Sequence, residues 1–308
     1  MMNRKIIAFA VASMLAVSVV CASTNNAAAK STLAGRAPAI AATQIQLPAL
    51  SLQQIIDRNV AARGGLEAWQ RVQSMAFEGK MDAGKVRKDG GAIAMMSSPQ
   101  GRAAAKAQLR AAMAGKVEPV AEKTIQLPFH MELKRPLMTR LEIPFQGETA
   151  IQVYDGTQGW KLRPFLGRHE VETFTPDEQK IAAQQQELDG PLINYAAKGN
   201  QVALDGAERV NGHDCYRLKL TLKSGEVRRV WIDAQSFLDI GIEGAPRRWD
   251  GKMRPVLTYS HDFRSVNGVM VPYLLETTLE GVGSKEKIVF DKVAVNPMLD
   301  DSRFKKPL

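Results

Sequence analysis

Residues 141–160 read Leu-Glu-Ile-Pro-Phe-Gln-Gly-Glu-Thr-Ala-Ile-Gln-Val-Tyr-Asp-Gly-Thr-Gln-Gly-Trp. This stretch has the pattern of a strand, a turn, a second strand and a tight Asp-Gly turn that leads into Gly-Trp. Similar short segments with Gly-centred turns continue almost to the C-terminus, and Asn211-Gly212 and Asn267-Gly268 are strong hairpin signals. Since regularly spaced short strands are typical of antiparallel folds, the sequence predicts one large antiparallel sheet or an incomplete barrel.

A few helices accompany the predicted sheet. Ser51 to Gln54 form a capping box ahead of an amphipathic helix that Gly64-Gly65 ends. Residues 66–72 predict a second short helix that carries Trp69. Thr175-Pro176-Asp177-Glu178 predicts the start of another helix, which runs to about residue 188. The fold class is therefore mainly β with a few helices.

The N-terminus has the pattern of an export signal. Arg4 and Lys5 precede an apolar run, Ile6 to Val20, that is too short for a comfortable transmembrane helix. Ala27-Ala28-Ala29 offers a cleavage site, so residues 1–29 are predicted to be a signal peptide and the mature protein to be periplasmic. Lipid anchoring at Cys21 is the alternative.

The remaining chain predicts one domain with two irregular parts. Residues 30–50 are rich in Ala, Pro and Thr and predict a flexible linker. Residues 51–308 form the predicted domain, and residues 84–123 interrupt it as an Ala- and Met-rich insertion with a helix near 100–114. This insertion is either a movable lid or a variable excursion.

The charge indicates anionic partners or simple solubility. The formal net charge is +9, and removal of the two basic residues in 1–29 lowers it to +7. A basic exported protein favours contact with an anionic membrane surface or an envelope protein, and export argues against nucleic acid. One basic loop is the candidate for membrane contact, and a solvated hairpin is the other interpretation. Its residues are Arg247, Arg248, Trp249, Lys252 and Arg254.

The sequence offers no recognisable catalytic or metal-binding constellation, and we expect no cofactor. After cleavage Cys215 is the one remaining cysteine, in a strand-like run with no general base arranged beside it, which favours a buried structural role over a nucleophile. The four histidines, at positions 130, 169, 213 and 261, lack metal-ligand spacing. The hypothesis is a non-catalytic, monomeric protein, with an ester hydrolase acting through Cys215 as the remote alternative.

Several stretches resemble the LolA/LolB-type superfamily of periplasmic lipoprotein carriers, in a branch of uncharacterised relatives. They are Gly64–Trp69, Val153–Trp160, Asp189–Tyr195, Tyr216–Leu222 with Trp231–Asp233, and Val295–Pro297 with Phe304–Pro307. The resemblance covers roughly residues 51–83 and 124–308. It implies an open, strongly curved sheet like half a barrel, with helices over its concave face, and a concavity that binds acyl chains of lipids or lipoproteins. It implies no functional residue.

A concave apolar cleft is the usual form of a small-ligand site, and burial of an acyl chain stabilises a complex by about 0.8 kcal/mol per CH₂. The candidate cavity residues are apolar positions of the predicted strands, and ordinary core is the alternative for each of them. A sensor or scaffold that binds a protein partner through the same sheet is the rival function. The candidate cavity residues are Phe77, Met81, Leu141, Ile143, Phe145, Trp160, Leu218, Leu220, Trp231 and Tyr259.

Overall fold

The computed structural model describes residues 47–87, 122–164, 167–183, 188–249 and 251–308. Within them lie the helices α1 (Leu52–Ala62), α2 (Leu66–Arg71) and α3 (Pro176–Ala183), and a 3₁₀ helix at Asp301–Phe304. The strands are β1 (Ser74–Arg87), β2 (Glu122–Lys134), β3 (Met138–Phe145), β4 (Glu148–Tyr154), β5 (Gly159–Arg163), β6 (Arg168–Thr173), β7 (Gln201–Val210), β8 (His213–Thr221), β9 (Val227–Asp233), β10 (Asp239–Trp249), β11 (Lys252–Val266), β12 (Val269–Leu279) and β13 (Val282–Val295).

All of these strands belong to one antiparallel sheet. Its order is β6-β5-β4-β3-β2-β1-β13-β12-β11-β10-β9-β8-β7, so β1 and β13 pair in the interior of the sheet. Strands β6 and β7 are the two edges and are not paired with each other, so the described sheet stays open. The predicted fold class, a large open antiparallel sheet with a few helices, is confirmed.

The sheet has two different faces. The face that the helices cover, called the helix face below, carries Phe77 and Met81 on β1. Met81 pairs with Ile288 on β13, and Ile288 pairs with Leu275 on β12, so both residues lie on the same face. All three helices lie on this side. The outer face carries Glu132 of β2, where the C-terminal segment packs with Arg303 Nε at 2.6 Å from the Glu132 carboxylate and Phe304 buried.

Two apolar clusters occupy the helix face. Cluster A lies under α2 and cluster B under α1. The buried members of cluster A are Trp69, Val72, Met75, Phe77, Met81, Ala83, Leu127, Phe129, Leu141, Ile143, Ala150, Ile193, Val269, Val271, Leu275, Ile288, Phe290, Val293 and Val295. The buried members of cluster B are Ile55, Ile56, Leu192, Tyr216, Leu218, Leu220, Val230 and Ile232.

Residues 188–200, called the crossing segment below, join these clusters. The chain must travel from edge strand β6 to the opposite edge strand β7, and it does so across the helix face. Leu192 is 2% exposed and belongs to cluster B, whereas its neighbour Ile193 is 0% exposed and belongs to cluster A. The crossing segment therefore spans the seam between the two halves of the face.

Two predicted boundaries need correction. The linker ends earlier than residue 50, because Leu47 and Leu50 pack against cluster B and the Tyr216 hydroxyl donates to the Pro48 carbonyl at 2.9 Å. The insertion is shorter than 84–123, because Gly84 to Arg87 pair with Ile125 to Glu122 and lengthen the β1–β2 ladder past a bulge. The signal peptide, Cys21, residues 30–46 and the predicted helix near 100–114 lie outside the described residues.

Candidate functional site

The Asp-Gly turn of the opening stretch positions α3 on the helix face. Asp155 accepts hydrogen bonds from the backbone N–H groups of Thr157 and Gln158, at 2.8 and 2.7 Å. Burial acts to raise the pKa of Asp155, but these bonds outweigh it and the pKa lies below its ordinary value. The turn then presents Gly159, whose N–H donates to the Gln179 side chain of α3 at 3.1 Å. The motif thus serves as the docking point of a helix.

Lys161 holds the start of α3 from the same face. Its side chain is 6% exposed, and its ammonium group binds the Glu178 carboxylate. Glu178 also accepts from the backbone N–H of Thr175 at 2.8 Å, which is half of a capping box. Burial acts to raise the pKa of Glu178, but the bonds from Lys161 and Thr175 prevail and lower it.

The turn between α1 and α2 is held by a buried arginine. Arg63 makes two contacts of 3.0 Å from Nη1 to the Asp239 carboxylate, and its guanidinium carbon lies 4.9 Å from the centre of the Trp69 ring. The Trp69 indole in turn donates to the Arg63 carbonyl at 2.8 Å. Asn59, which is 0% exposed, donates to the Phe237 carbonyl at 2.8 Å. These bonds fix both helices over the β9–β12 end of the face.

The crossing segment is anchored by Asp189. Its carboxylate lies 2.7 Å from Nζ of Lys198 and 3.5 Å from Nη2 of Arg135, and the Asp189 side chain is 8% exposed. Lys198 also donates to the Gly190 carbonyl at 2.6 Å. Arg135 donates to the Val72 carbonyl at 2.8 Å, which connects the anchor to the end of α2. Ion pairs therefore hold the segment that joins the two apolar clusters.

The structure places seven of the ten candidate cavity residues on the helix face. Several of them have almost no accessible surface, between 0 and 2% for Met81, Ile143, Leu218 and Leu220. A side chain that lined an open hollow wide enough for an acyl chain would show more surface than this, so these four pack beneath the helices and the crossing segment as core. The seven residues on the helix face are Phe77, Met81, Leu141, Ile143, Phe145, Leu218 and Leu220.

The other three candidates, Trp160, Trp231 and Tyr259, lie on the outer face, which is a correction. Trp231 and Tyr259 both pair with Gly241, and Trp231 also pairs with Arg217, the neighbour of Leu218 in the chain. Trp160 pairs with Val153, Val153 pairs with Arg140, and Arg140 pairs with Glu132 of the outer face. Because successive residues of a strand point to opposite faces, none of the three reaches the helix face. Trp231 instead donates its indole N–H to Glu208.

The predicted basic loop is the β10–β11 hairpin, and its cations divide between the faces. Arg247 and Arg254 are cross-strand partners on the helix face. Arg248 and Met253 form the next pair on the other face, where Met253 is 50% exposed. Lys252 is exposed at the tip. The cationic residues of the loop thus do not form one surface.

Arg247 also connects two strands that are not neighbours in the sheet. Its Nη1 lies 2.9 Å from the carboxylate of Glu286 on β13, with β11 and β12 between the two strands. The two long side chains therefore meet over the helix face of β11 and β12.

Cys215 is a buried side chain of the outer face. It is 0% exposed and packs with Trp231 and Ile240. Burial, with the Asp233 carboxylate adding to it, raises the pKa of the thiol to about 12. Asp233 itself is held by Ser236 and His213, and these bonds lower its pKa although burial alone would raise it. The thiol is therefore protonated at neutral pH.

Two further surveys concern the described part of the chain alone. No group of three or more His, Cys, Asp or Glu side chains there is arranged to hold a metal ion. No helix in the described ranges combines the length and the apolar character needed to span a bilayer.

Sequence reasoning missed the residues that organise the face. No sequence pattern predicts a structural role for Asp189 or Arg63, because a charged residue next to a glycine is typical of a solvent-exposed turn. Glu286 lies in a strand of alternating charge, where parity alone could have assigned it to the helix face with Ile288.

No protein-family model matches this chain, and no curated protein matches it. Solved structures similar to it include a DUF1329 family protein from Desulfovibrio piger, with 14% identity, a TM-score of 0.48, and coverage of 83% of this chain and 98% of that chain. Another is a LolA superfamily protein from Nitrosomonas europaea, with 13% identity, a TM-score of 0.48, and coverage of 84% and 99%.

Proposed function

We propose that this protein is a non-catalytic periplasmic carrier that binds an acyl chain of a lipid or lipoprotein on its helix face. The observation that carries the proposal is the position of Leu192 and Ile193, which fill the seam between two apolar clusters from a short segment without strand or helix structure. If that segment moves, the two clusters become one continuous apolar groove.

The energetics suit a long apolar ligand. Removal of Leu192 and Ile193 from their sites exposes apolar surface, at a cost of about 1.5–3 kcal/mol for each side chain. An acyl chain of a dozen carbons regains on the order of 10 kcal/mol before association costs. Replacement of Leu192 and Ile193 by the acyl chain therefore favours binding. When no ligand is bound, the closed crossing segment covers the apolar clusters and keeps the protein soluble.

The exposed part of the β10–β11 hairpin supplies a membrane contact in this proposal. Arg248 is an exposed cation with the half-exposed apolar side chain of Met253 beside it, and Lys252 is an exposed cation at the tip of the hairpin. This combination suits an anionic lipid surface, where cations meet head groups and a methionine enters the interface.

The test is lipid extraction and mass spectrometry of the protein purified from its native host, followed by titration of the delipidated protein with a fluorescent fatty acid. We expect a bound acyl species and saturable binding at one site per chain. A protein that carries no acyl species and does not bind the probe would contradict the carrier. An empty face together with a co-purifying envelope protein would support the sensor or scaffold instead.

A further inference from the structure

We propose that Arg247 and Arg254 form an anion site on the helix face that takes the carboxylate or phosphate head group of the apolar ligand. This inference rests on the proposed function and names the polar end of its ligand. The site lies at the end of the sheet formed by the β10–β11 hairpin, away from the Asp189 anchor.

The first argument is the juxtaposition of two like charges. Arg247 and Arg254 are direct cross-strand partners, so their side chains leave the sheet about 5 Å apart on the same face. Like charges directly opposite each other destabilise a strand pair unless an anion compensates them. Both side chains are on the helix face, where the surrounding apolar residues Val256 and Leu279 reduce the screening by water.

The second argument is that the protein supplies too few acceptors. Glu286 accepts from Nη1 of Arg247 at 2.9 Å, while Nη1 of Arg254 reaches the Glu280 carbonyl at 3.3 Å. Within the described ranges, Nε and Nη2 of Arg247 and Nε of Arg254 are shielded from solvent and have no acceptor. Single shielded guanidinium nitrogens without an acceptor also occur in Arg63, Arg163 and Arg228 of the described chain, whereas the hairpin gathers three of them in one facing pair. Buried donors are almost always paired, so this concentration indicates a missing acceptor.

A different arginine shows how the chain satisfies a guanidinium group when no ligand is needed. Arg217 on the outer face binds Asp205 at 2.9 Å and Glu208 at 2.8 Å. Among the residues that the structure describes, the hairpin pair has one carboxylate, that of Glu286, for two cations. A planar oxyanion fits the gap, because guanidinium groups bind carboxylate and phosphate through parallel N–H bonds.

The position of the pair agrees with an amphiphilic ligand. Arg254 lies four residues before Thr258 on β11, which corresponds to about 13 Å along the strand. Thr258 pairs with Ile242 on the neighbouring strand. Ile242 pairs with Val230, and Val230 pairs with Leu218 of cluster B, so these residues lie in one row on the helix face. A head group at the arginines therefore directs its tail along the helix face toward the seam under the crossing segment.

The test compares dodecanoate, 1-dodecanol and inorganic phosphate by calorimetric titration of the delipidated protein. We expect dodecanoate to bind at least about tenfold more tightly than dodecanol, which corresponds to about 1.4 kcal/mol. Arg247→Gln with Arg254→Gln should abolish this preference and leave dodecanol binding unchanged. Arg229→Gln is the matched control, because it removes the same charge from the outer face of the sheet.

The outcomes separate the possible failures. Equal binding of dodecanoate and dodecanol, unaffected by the double variant, would overturn the anion site and leave the acyl-chain carrier intact. Binding of phosphate alone as tightly as dodecanoate would identify a free anion and overturn the head-group assignment. Failure of dodecanoate and dodecanol to bind at all would overturn the proposed function itself. The single variant Arg254→Gln removes the repulsion and breaks no ion pair among the described residues, so it provides a folded protein for each comparison.

Discussion

The backbone of Gly64, in the turn between α1 and α2, lies directly against the carbonyl oxygen of Gly268 in the β11–β12 hairpin. A Cβ added to Gly64 would lie 2.1 Å from that oxygen. Gly64 also has a φ of +105°, in the region that favours glycine. The neighbouring Arg63 carbonyl accepts from the Met270 N–H at 3.0 Å, so the turn is hydrogen-bonded to the sheet beside this contact.

Substitution of Gly64 should therefore be severely destabilising. We expect Gly64→Ala to lower the free energy of unfolding by about 3 kcal/mol or more, because it adds a steric clash to an unfavourable φ. Gly65→Ala is the matched control, with a φ of +89° but no atom within 4 Å of the added Cβ. It should cost less, about 1–3 kcal/mol, because its φ of +89° and ψ of 157° lie in a region that glycine alone readily adopts but no clash is added. Equal losses for the two variants in urea denaturation would show that the contact with Gly268 has no energetic role.

The sequence predicted the sheet because two local signals agree. Strand alternation marks one apolar parity, as for Leu141 and Ile143, and Asn211-Gly212 and Asn267-Gly268 indeed form tight hairpins with positive φ at all four residues. The first helix also begins as predicted, at the capping box of Ser51 and Gln54. These features depend on neighbours in the chain, and a single sequence is sufficient to show them.

The assignment of aromatic residues to a face was harder to predict. Trp231 is buried and follows Val230, and both residues are apolar, so β9 shows no clean alternation. The outer face has its own small cluster of Cys215, Trp231 and Ile240. Only the register in which β8 pairs with β9 places Leu218 on one side and Trp231 on the other. The crossing segment and its anchor at Asp189 could not be deduced, because they depend on contacts with residues distant in the sequence, such as Arg135.

Cys215 should be chemically inert in the folded protein. Its pKa of about 12 leaves little thiolate near pH 8, whereas an ordinary thiol with a pKa of about 8.5 is partly ionised there. We expect a Cys21→Ser variant to react with a thiol-specific disulfide reagent only after unfolding in guanidinium chloride. Rapid stoichiometric labelling of the native protein would contradict the buried position and would revive the hydrolase hypothesis.

The pair of Lys161 and Glu178 should make stability depend on pH in the acid range. Because the pKa of Glu178 is lowered in the folded state, its contribution is fully present above the ordinary value of 4.5 and is lost as the pH falls through the folded pKa. We expect Glu178→Gln to cost about 2 kcal/mol at neutral pH, since it leaves the buried Lys161 without a carboxylate.

The comparison of wild type and Glu178→Gln at two pH values is the decisive measurement. Glutamine keeps the capping position, so the difference between the two proteins reports the charge alone. The gap in unfolding free energy should close well below pH 4.5. A gap that persists there would show that the carboxylate charge does not stabilise α3.

The anchor of the crossing segment should control ligand exchange. Asp189→Asn keeps the shape of the side chain but removes the charge that faces Lys198 and Arg135, so it should lower stability by about 2 kcal/mol. If opening of the segment admits the acyl chain, the same variant should release and bind a fluorescent fatty acid faster while its affinity changes little. Asp301→Asn is the matched control, because it removes the pair with Lys134 from the exposed C-terminal segment on the outer face. Stopped-flow exchange rates that rise equally in both variants, or in neither, would mean that the crossing segment does not gate the helix face.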